Sequence, residues 1–140
     1  MILMENNIYI PALIENWQVV YDFLGKCMEG KDIEKNHIVS ILFASEEIYV
    51  NISKYAYPES KGNVYVNFEH DLHKNLLRIK FIDEGTPFDP TKVPIPDVTE
   101  SLEKRKIGGL GIFIVNKVMD SMEYTHKCGQ NNLTIIKKIK

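Results

Sequence analysis

"EEIYVNISKYAY", residues 46–57, decides how this chain is read. Ile, Tyr, Val and Ala recur through it at helical spacing, yet Glu46, Glu47 and Asn51 interrupt the apolar run. The stretch belongs to a helix expected from about Asp32 to Tyr57 and stopped by Pro58, whose ring and missing N–H end an α-helix. Its inward stripe is Ile38, Ile41, Leu42, Ser45, Ile48, Ile52 and Ala56. At about 100° per residue the stripe centres near Ser45 and Ile52. Glu47, Asn51 and Tyr55 then form one row along one flank, while Glu46 falls on the other flank beside Ser53. The two adjacent glutamates are therefore not equivalent. A carboxylate and an amide oxygen one turn apart suit a solvated helix edge. Such a pair is ordinarily no more than that edge, but it is also able to address a hydrated Mg²⁺, which takes only about one or two protein oxygens and fills its shell with water or phosphate.

Outward from this helix, "NNIYIPA" alternates like a short strand and ends at Pro11. "LIENWQVVYDFLGKCMEG" follows with Leu13, Trp17, Val20, Leu24 and Cys27 at helical spacing. Beyond Pro58, "NVYVNFE" and "LLRIKFID" each show period-two alternation and are joined by the polar turn "HDLHKN". "EGTPFDPTKVPIPDVTESLEKRKI" then carries four prolines and no amphipathic period. Ordinary connections run to about 4–6 residues, so a segment of that length within one domain is functional or disordered. "GGLGIFIVNKVMDSM" reads as a glycine turn opening a helix, and "NLTIIKKI" as a last strand. The order βα, α, ββ, long loop, α, β predicts an α+β fold: a two-layer α/β sandwich with a mixed, mostly antiparallel sheet and helices on one face.

Two further places can carry chemistry. Asp83 ends an apolar strand, with Gly85 two residues on. Asp and Gly are common turn formers; a carboxylate is also an acceptor-only group, suited to the exocyclic amine of adenine. Gly85 would let backbone approach a flat base, and Phe88-Asp89-Pro90 would fix the route of the chain beyond it. Gly108, Gly109 and Gly111 open the next helix, where successive N–H groups and the positive helix end favour phosphate, although a tight helix entry explains them as well. Neither G-x-x-x-x-G-K-[ST] nor G-x-G-x-x-G occurs. Lys104, Arg105 and Lys106 could reach a terminal phosphate or form an exposed charge run.

Composition narrows the field. The 140 residues make one domain, 44% hydrophobic and 26% charged, with a net charge of -2. Neither a basic excess nor a basic stripe argues for nucleic acid or an anionic membrane. No apolar run approaches the roughly 18–20 residues of a membrane span, and no signal peptide opens the chain. Cys27 and Cys128 form no C-x-x-C pair, consistent with a reduced, cytoplasmic protein. His70 and His73 form H-x-x-H on a turn, read as solvated rather than metal-binding. Trp17, Met28, Met119 and Met122 are expected in the core, and "IIKKIK" as an edge strand guarded by lysines.

Taken in order, "EEIYVNISKYAY", "DEGTPFDP" and "GGLGIFIV" resemble the N box and the two glycine boxes of the histidine-kinase, gyrase and heat-shock-chaperone ATPase superfamily. The Ala-Tyr after the N box, "PFDP", the run from Gly108 through Met119-Asp120, and Asn132-Leu133-Thr134 to Lys137 are most similar to the anti-sigma-factor serine kinases of stress response and sporulation. The resemblance covers nearly the whole chain.

That resemblance implies a set of roles. Glu47 matches the general base and Asn51 the Mg²⁺ ligand; Asp83 matches the adenine reader, with Gly85 beside it and Thr134 supporting the same base. Gly109, Leu110 and Gly111 match the phosphate-binding turn, residues 86–107 the ATP lid, and Arg105 or Lys106 its cation. The implied reaction carries the γ-phosphoryl of ATP to a serine or threonine of an anti-anti-sigma partner, in a homodimer that also sequesters a sigma factor. A non-catalytic, ATP-gated binding module is the alternative. Tyr55 departs from the pattern, because these kinases commonly carry His there.

Overall fold

The fold is given by a computed structural model, which describes residues 1–92 and 109–139. Along the chain come β1 (Ile2–Leu3), β2 (Asn7–Pro11), a 3-10 turn (Ile14–Asn16), α1 (Trp17–Met28) and α2 (Lys35–Tyr55). They are followed by β3 (Asn63–Asp71), β4 (Leu76–Asp83), a second 3-10 turn (Pro90–Lys92), α3 (Gly109–Val118), β5 (Ser121–Lys127) and β6 (Gln130–Lys138). The strands form one sheet in the order β1-β2-β3-β4-β6-β5. Every pairing among them is antiparallel, which narrows the expected mixed sheet to an antiparallel one.

One sheet face is apolar because alternate residues point to it. Ile8 and Ile10 of β2, Val64, Val66 and Phe68 of β3, Leu77, Ile79 and Phe81 of β4, and Leu133 and Ile135 of β6 are all buried there. The helices complete that core with Val20, Phe23 and Leu24 from α1, Ile41, Ala44, Ile48 and Ile52 from α2, and Ile112 and Val115 from α3. Trp17 and Met122 pack partly buried against it, while Met28 and Met119 belong to it, as expected. Ser45 is fully enclosed at the centre of the α2 stripe, and Ile38 and Leu42 lie at its margin.

Three details depart from the sequence reading. First, α2 begins three residues later and ends two earlier than expected, so Tyr57 lies beyond the helix. Second, Tyr49 is completely buried although the wheel left it off the stripe; its hydroxyl bonds the carbonyl of Leu13 and its ring lies 5.7 Å from that of Trp17. Packing of the 3-10 turn and α1 against α2 thus widens the buried face beyond the narrow seam the wheel suggests.

Third, "IIKKIK" is not an edge strand. β5 pairs outside β6 and takes the edge, leaving β6 between β4 and β5. Cys128 and Gly129 form the two-residue turn between them, with φ of 55° and 75°. Two left-handed residues in succession match the primed hairpin turn, whose usual Asn-Gly or Asp-Gly signal is missing from "KCGQ". Lys137 instead reaches the opposite layer: its Nζ donates to the Val118 carbonyl at 2.6 Å, capping the C-terminal end of α3. Among the described residues, no helix is long and apolar enough to cross a membrane.

Candidate functional site

The row along the flank of α2 survives folding. Glu46 is exposed, whereas Glu47 and Asn51 are half-buried on the side that meets α3, and Tyr55 at the end of the row is 47% exposed. Gly109, Leu110 and Gly111 make the first turn of α3. A Cβ at Gly111 would overlap Oε2 of Glu47, so the absence of a side chain there lets the carboxylate lie against the backbone that opens α3. The first N–H groups of a helix lack partners within the helix and carry its positive end. Glu47 thus lies beside the opening turn of α3, whose first N–H groups are potential anion donors, and Asn51 follows it one turn further along α2.

The far end of the same helix is fixed to Asp83. Gly85 packs so closely on Ala56 that a Cβ would strike its carbonyl, and Thr86 N–H donates to that carbonyl at 2.7 Å. Tyr57 adds a second tie: its hydroxyl donates to the Asn63 carbonyl at 2.7 Å and accepts from Glu84 N–H at 2.9 Å. Burial pushes the Tyr57 phenol above its ordinary pKa, with the Glu84 hydrogen bond opposing the shift. α2 therefore carries Glu47 beside α3 and the Asp83 loop at its C-terminal end, and the rise from Glu47 to Ala56 along its axis is about 13 Å.

Asp83 is 6% exposed, an unusual burial for a carboxylate. Its Oδ1 accepts from Gly85 N–H and from Asn131 Nδ2, both at 2.9 Å. The first bond closes a turn of the side chain onto its own backbone two residues on; the second crosses to β6, where Asn131 stands directly opposite. Tyr124 of β5 donates to Asn131 Oδ1 at 2.6 Å. Asn131 and Tyr124 were missed in the sequence, because only the β4–β6 register and the unrecognised strand β5 bring them to Asp83.

Thr134 does not join this group, against expectation. It stands three residues from Asn131 on the same strand, so the pleat turns it to the opposite face. There its neighbours are Lys80 and Glu123. Asn131 occupies the place beside Asp83 that had been expected for Thr134. Asp89 accepts from Thr91 N–H at 2.9 Å within the 3-10 turn that starts at Pro90. Lys104, Arg105, Lys106, Gly108 and most of the expected lid lie outside the described residues.

The donor set suits a nucleotide triphosphate with a divalent cation. Among the described residues no three His, Cys, Asp or Glu side chains gather to hold a metal alone, and His70 and His73 form no such group. Asn51 could hold such a cation only with phosphate and water oxygens completing its shell, and the opening turn of α3 has the backbone donors that could bind phosphate.

Comparison with known proteins gives the family of the fold. The model of the histidine kinase-like ATPase domain matches residues 10–137. Serine-protein kinase RsbW of Bacillus cereus strain AH820 is 31% identical over 128 residues, covering 89% of this chain and 79% of the relative. The RsbW of Bacillus anthracis is similar to the same extent. Among solved structures, the RsbU and RsbW domains of a Mycobacterium tuberculosis protein superpose with a TM-score of 0.63 at 14% identity, over 95% of this chain and 32% of that one. The histidine kinase domain of a blue-light-activated kinase from Erythrobacter litoralis gives 0.52 at 12% identity, over 74% and 45% respectively. The chain belongs to the histidine kinase-like ATPase domain family, among the relatives of the RsbW serine-protein kinases.

Proposed function

We propose that the chain is an ATP-dependent protein serine/threonine kinase and anti-sigma factor, which phosphorylates an anti-anti-sigma partner and sequesters a sigma factor. The observation that carries this reading is the contact of the Glu47 carboxylate with Gly111, at the end of a helix whose other end is tied to Asp83. One rigid element thereby sets the separation between a base-reading carboxylate and a phosphate-facing one.

In this reading Asp83 accepts the exocyclic amine of adenine, and Gly85 lies beside the base. Asn51 holds Mg²⁺, and Gly109, Leu110 and Gly111 direct backbone N–H groups at the phosphates, with Arg105 or Lys106 supplying a cation from the lid. Bound Mg-ATP would supply the transferable γ-phosphoryl group and neutralise its developing charge. Glu47 accepts the proton of the partner's hydroxyl, for which its half-buried position beside the opening turn of α3 is suited. The similarity to RsbW kinases supports the choice of a protein hydroxyl and of sigma-regulating partners. The proposal includes a cytoplasmic homodimer as the working form.

The test combines purified protein, Mg-ATP labelled on the γ-phosphate, and a cognate anti-anti-sigma protein. Label is expected on a partner serine or threonine. Glu47→Ala should abolish transfer, and Glu46→Ala, on the exposed flank, should leave it intact. Tight ATP binding with no transfer to any cognate partner would replace the kinase by a non-catalytic, ATP-gated binding module.

A further inference from the structure

The amide of Asn131 is held from every side. It is 5% exposed, and its Nδ2 donates to Asp83 Oδ1 at 2.9 Å while lying 3.1 Å from the Gly85 carbonyl and 3.3 Å from that of Thr86. Two N–H groups thus serve three acceptors, all on one side of the residue. On the other side Oδ1 takes the phenolic hydrogen of Tyr124. Only one orientation satisfies this set. A flipped amide would set its oxygen against a carboxylate and two carbonyls, none of which can donate to it.

The consequence falls on Asp83. Gly85 N–H and Asn131 Nδ2 both engage Oδ1, and among the described residues no hydrogen bond engages Oδ2. The carboxylate is therefore fixed in rotation with one oxygen committed to the protein and the other left as an acceptor. Adenine offers an amine donor at the edge where guanine offers a carbonyl acceptor. We infer that Asn131, oriented by Tyr124, is a positioning residue that makes the site select adenine over guanine nucleotides. The inference rests on the nucleotide-binding reading above and adds its specificity determinant. Gly85 N–H alone would leave the carboxylate free to swing about that single bond. The amide from the neighbouring strand removes this freedom and keeps an acceptor-only carboxylate facing the position where guanine would present an acceptor of its own.

The experiment uses the full chain with Mg²⁺ and three probes: ATP, GTP and inorganic tripolyphosphate, each followed by titration calorimetry. The wild-type protein is expected to prefer ATP over GTP by on the order of a hundredfold or more, since a site built to bond a donor rejects an analogue that lacks it. Tyr124→Phe removes one hydroxyl and should narrow that preference by about tenfold, the worth of one hydrogen bond. Asn131→Leu should narrow it further, with tripolyphosphate affinity unchanged in both variants. If Tyr124→Phe and Asn131→Leu keep the wild-type ATP-to-GTP ratio, the inference is overturned while nucleotide binding stands. If tripolyphosphate affinity falls in step with ATP, the pair merely supports the fold and the inference is again overturned. A wild-type chain that binds none of the three probes would remove the nucleotide reading itself.

Discussion

Two glycines in this site lack a side chain for reasons of space, and replacing each by alanine should give opposite phenotypes. Neither has the positive φ that favours glycine on conformational grounds. At Gly111 the new Cβ meets the far end of the flexible Glu47 side chain, which can swing aside. Alanine is the better helix former by up to about 1 kcal/mol, so Gly111→Ala should leave stability within about 1 kcal/mol of wild type. Displacing Glu47 should nevertheless cut phosphoryl transfer by on the order of a hundredfold to ten-thousandfold, the usual worth of a positioned general base. At Gly85 the new Cβ meets the backbone carbonyl of Ala56, which cannot move without breaking its bond from Thr86 N–H. Overpacking costs about 1–3 kcal/mol and the lost hydrogen bond about 1, a sum of about 2–4 kcal/mol. With an unfolding entropy of about 2.1 cal/mol/K per residue, a chain of 140 residues should lose about 7–14 °C in Tm. Thermal unfolding and labelled-phosphate transfer on both variants read the two effects separately. Wild-type transfer by Gly111→Ala would refute the placing of Glu47 against α3 as the source of catalysis. An unchanged melting point for Gly85→Ala would refute the tie between α2 and the Asp83 loop.

Tyr57→Phe should cost about 1–3 kcal/mol in urea unfolding, because it leaves the Asn63 carbonyl and the Glu84 N–H without their partner. It should also weaken ATP binding several-fold through the loosened Asp83 loop, whereas an unshifted urea midpoint would show that the phenol bears no load there. The two cysteines should differ sharply toward a thiol-specific reagent at about pH 8, where only thiolate reacts. Burial raises the Cys27 thiol to about 11, with Lys31 opposing and Glu5 adding to the shift, while Cys128 is exposed on the hairpin turn. One thiol per chain should therefore react at once and the second only on unfolding. Because the folded thiol holds its proton to higher pH than the unfolded one, its contribution is fully present below the ordinary thiol value of 9.0 and is lost as pH rises through about 11. Rapid labelling of both thiols in the folded protein would contradict the burial of Cys27.

Much of this protein is written locally. The period of Ile, Val, Leu and Phe residues is enough to specify α1, α2, β3, β4 and β6, because a helix or strand needs one apolar face whatever its neighbours are. Helical geometry alone separates Glu47 from Glu46, since adjacent residues point about 100° apart. β5 escaped because "SMEYTHK" lies at an exposed edge with little apolar alternation, and because its turn uses Cys-Gly in place of Asn-Gly. That omission also misplaced β6 at the edge. What no local pattern holds is register. The pairing of Asp83 with Asn131 joins residues 48 positions apart, and a shift of one residue would have brought the other face of β6 to the site. The sequence by itself therefore determined which side chains could carry the chemistry and which helix bears them. Only the tertiary structure decided that Asn131 and not Thr134 meets Asp83, and that Gly111 yields its space to Glu47, because both depend on contacts between elements far apart along the chain.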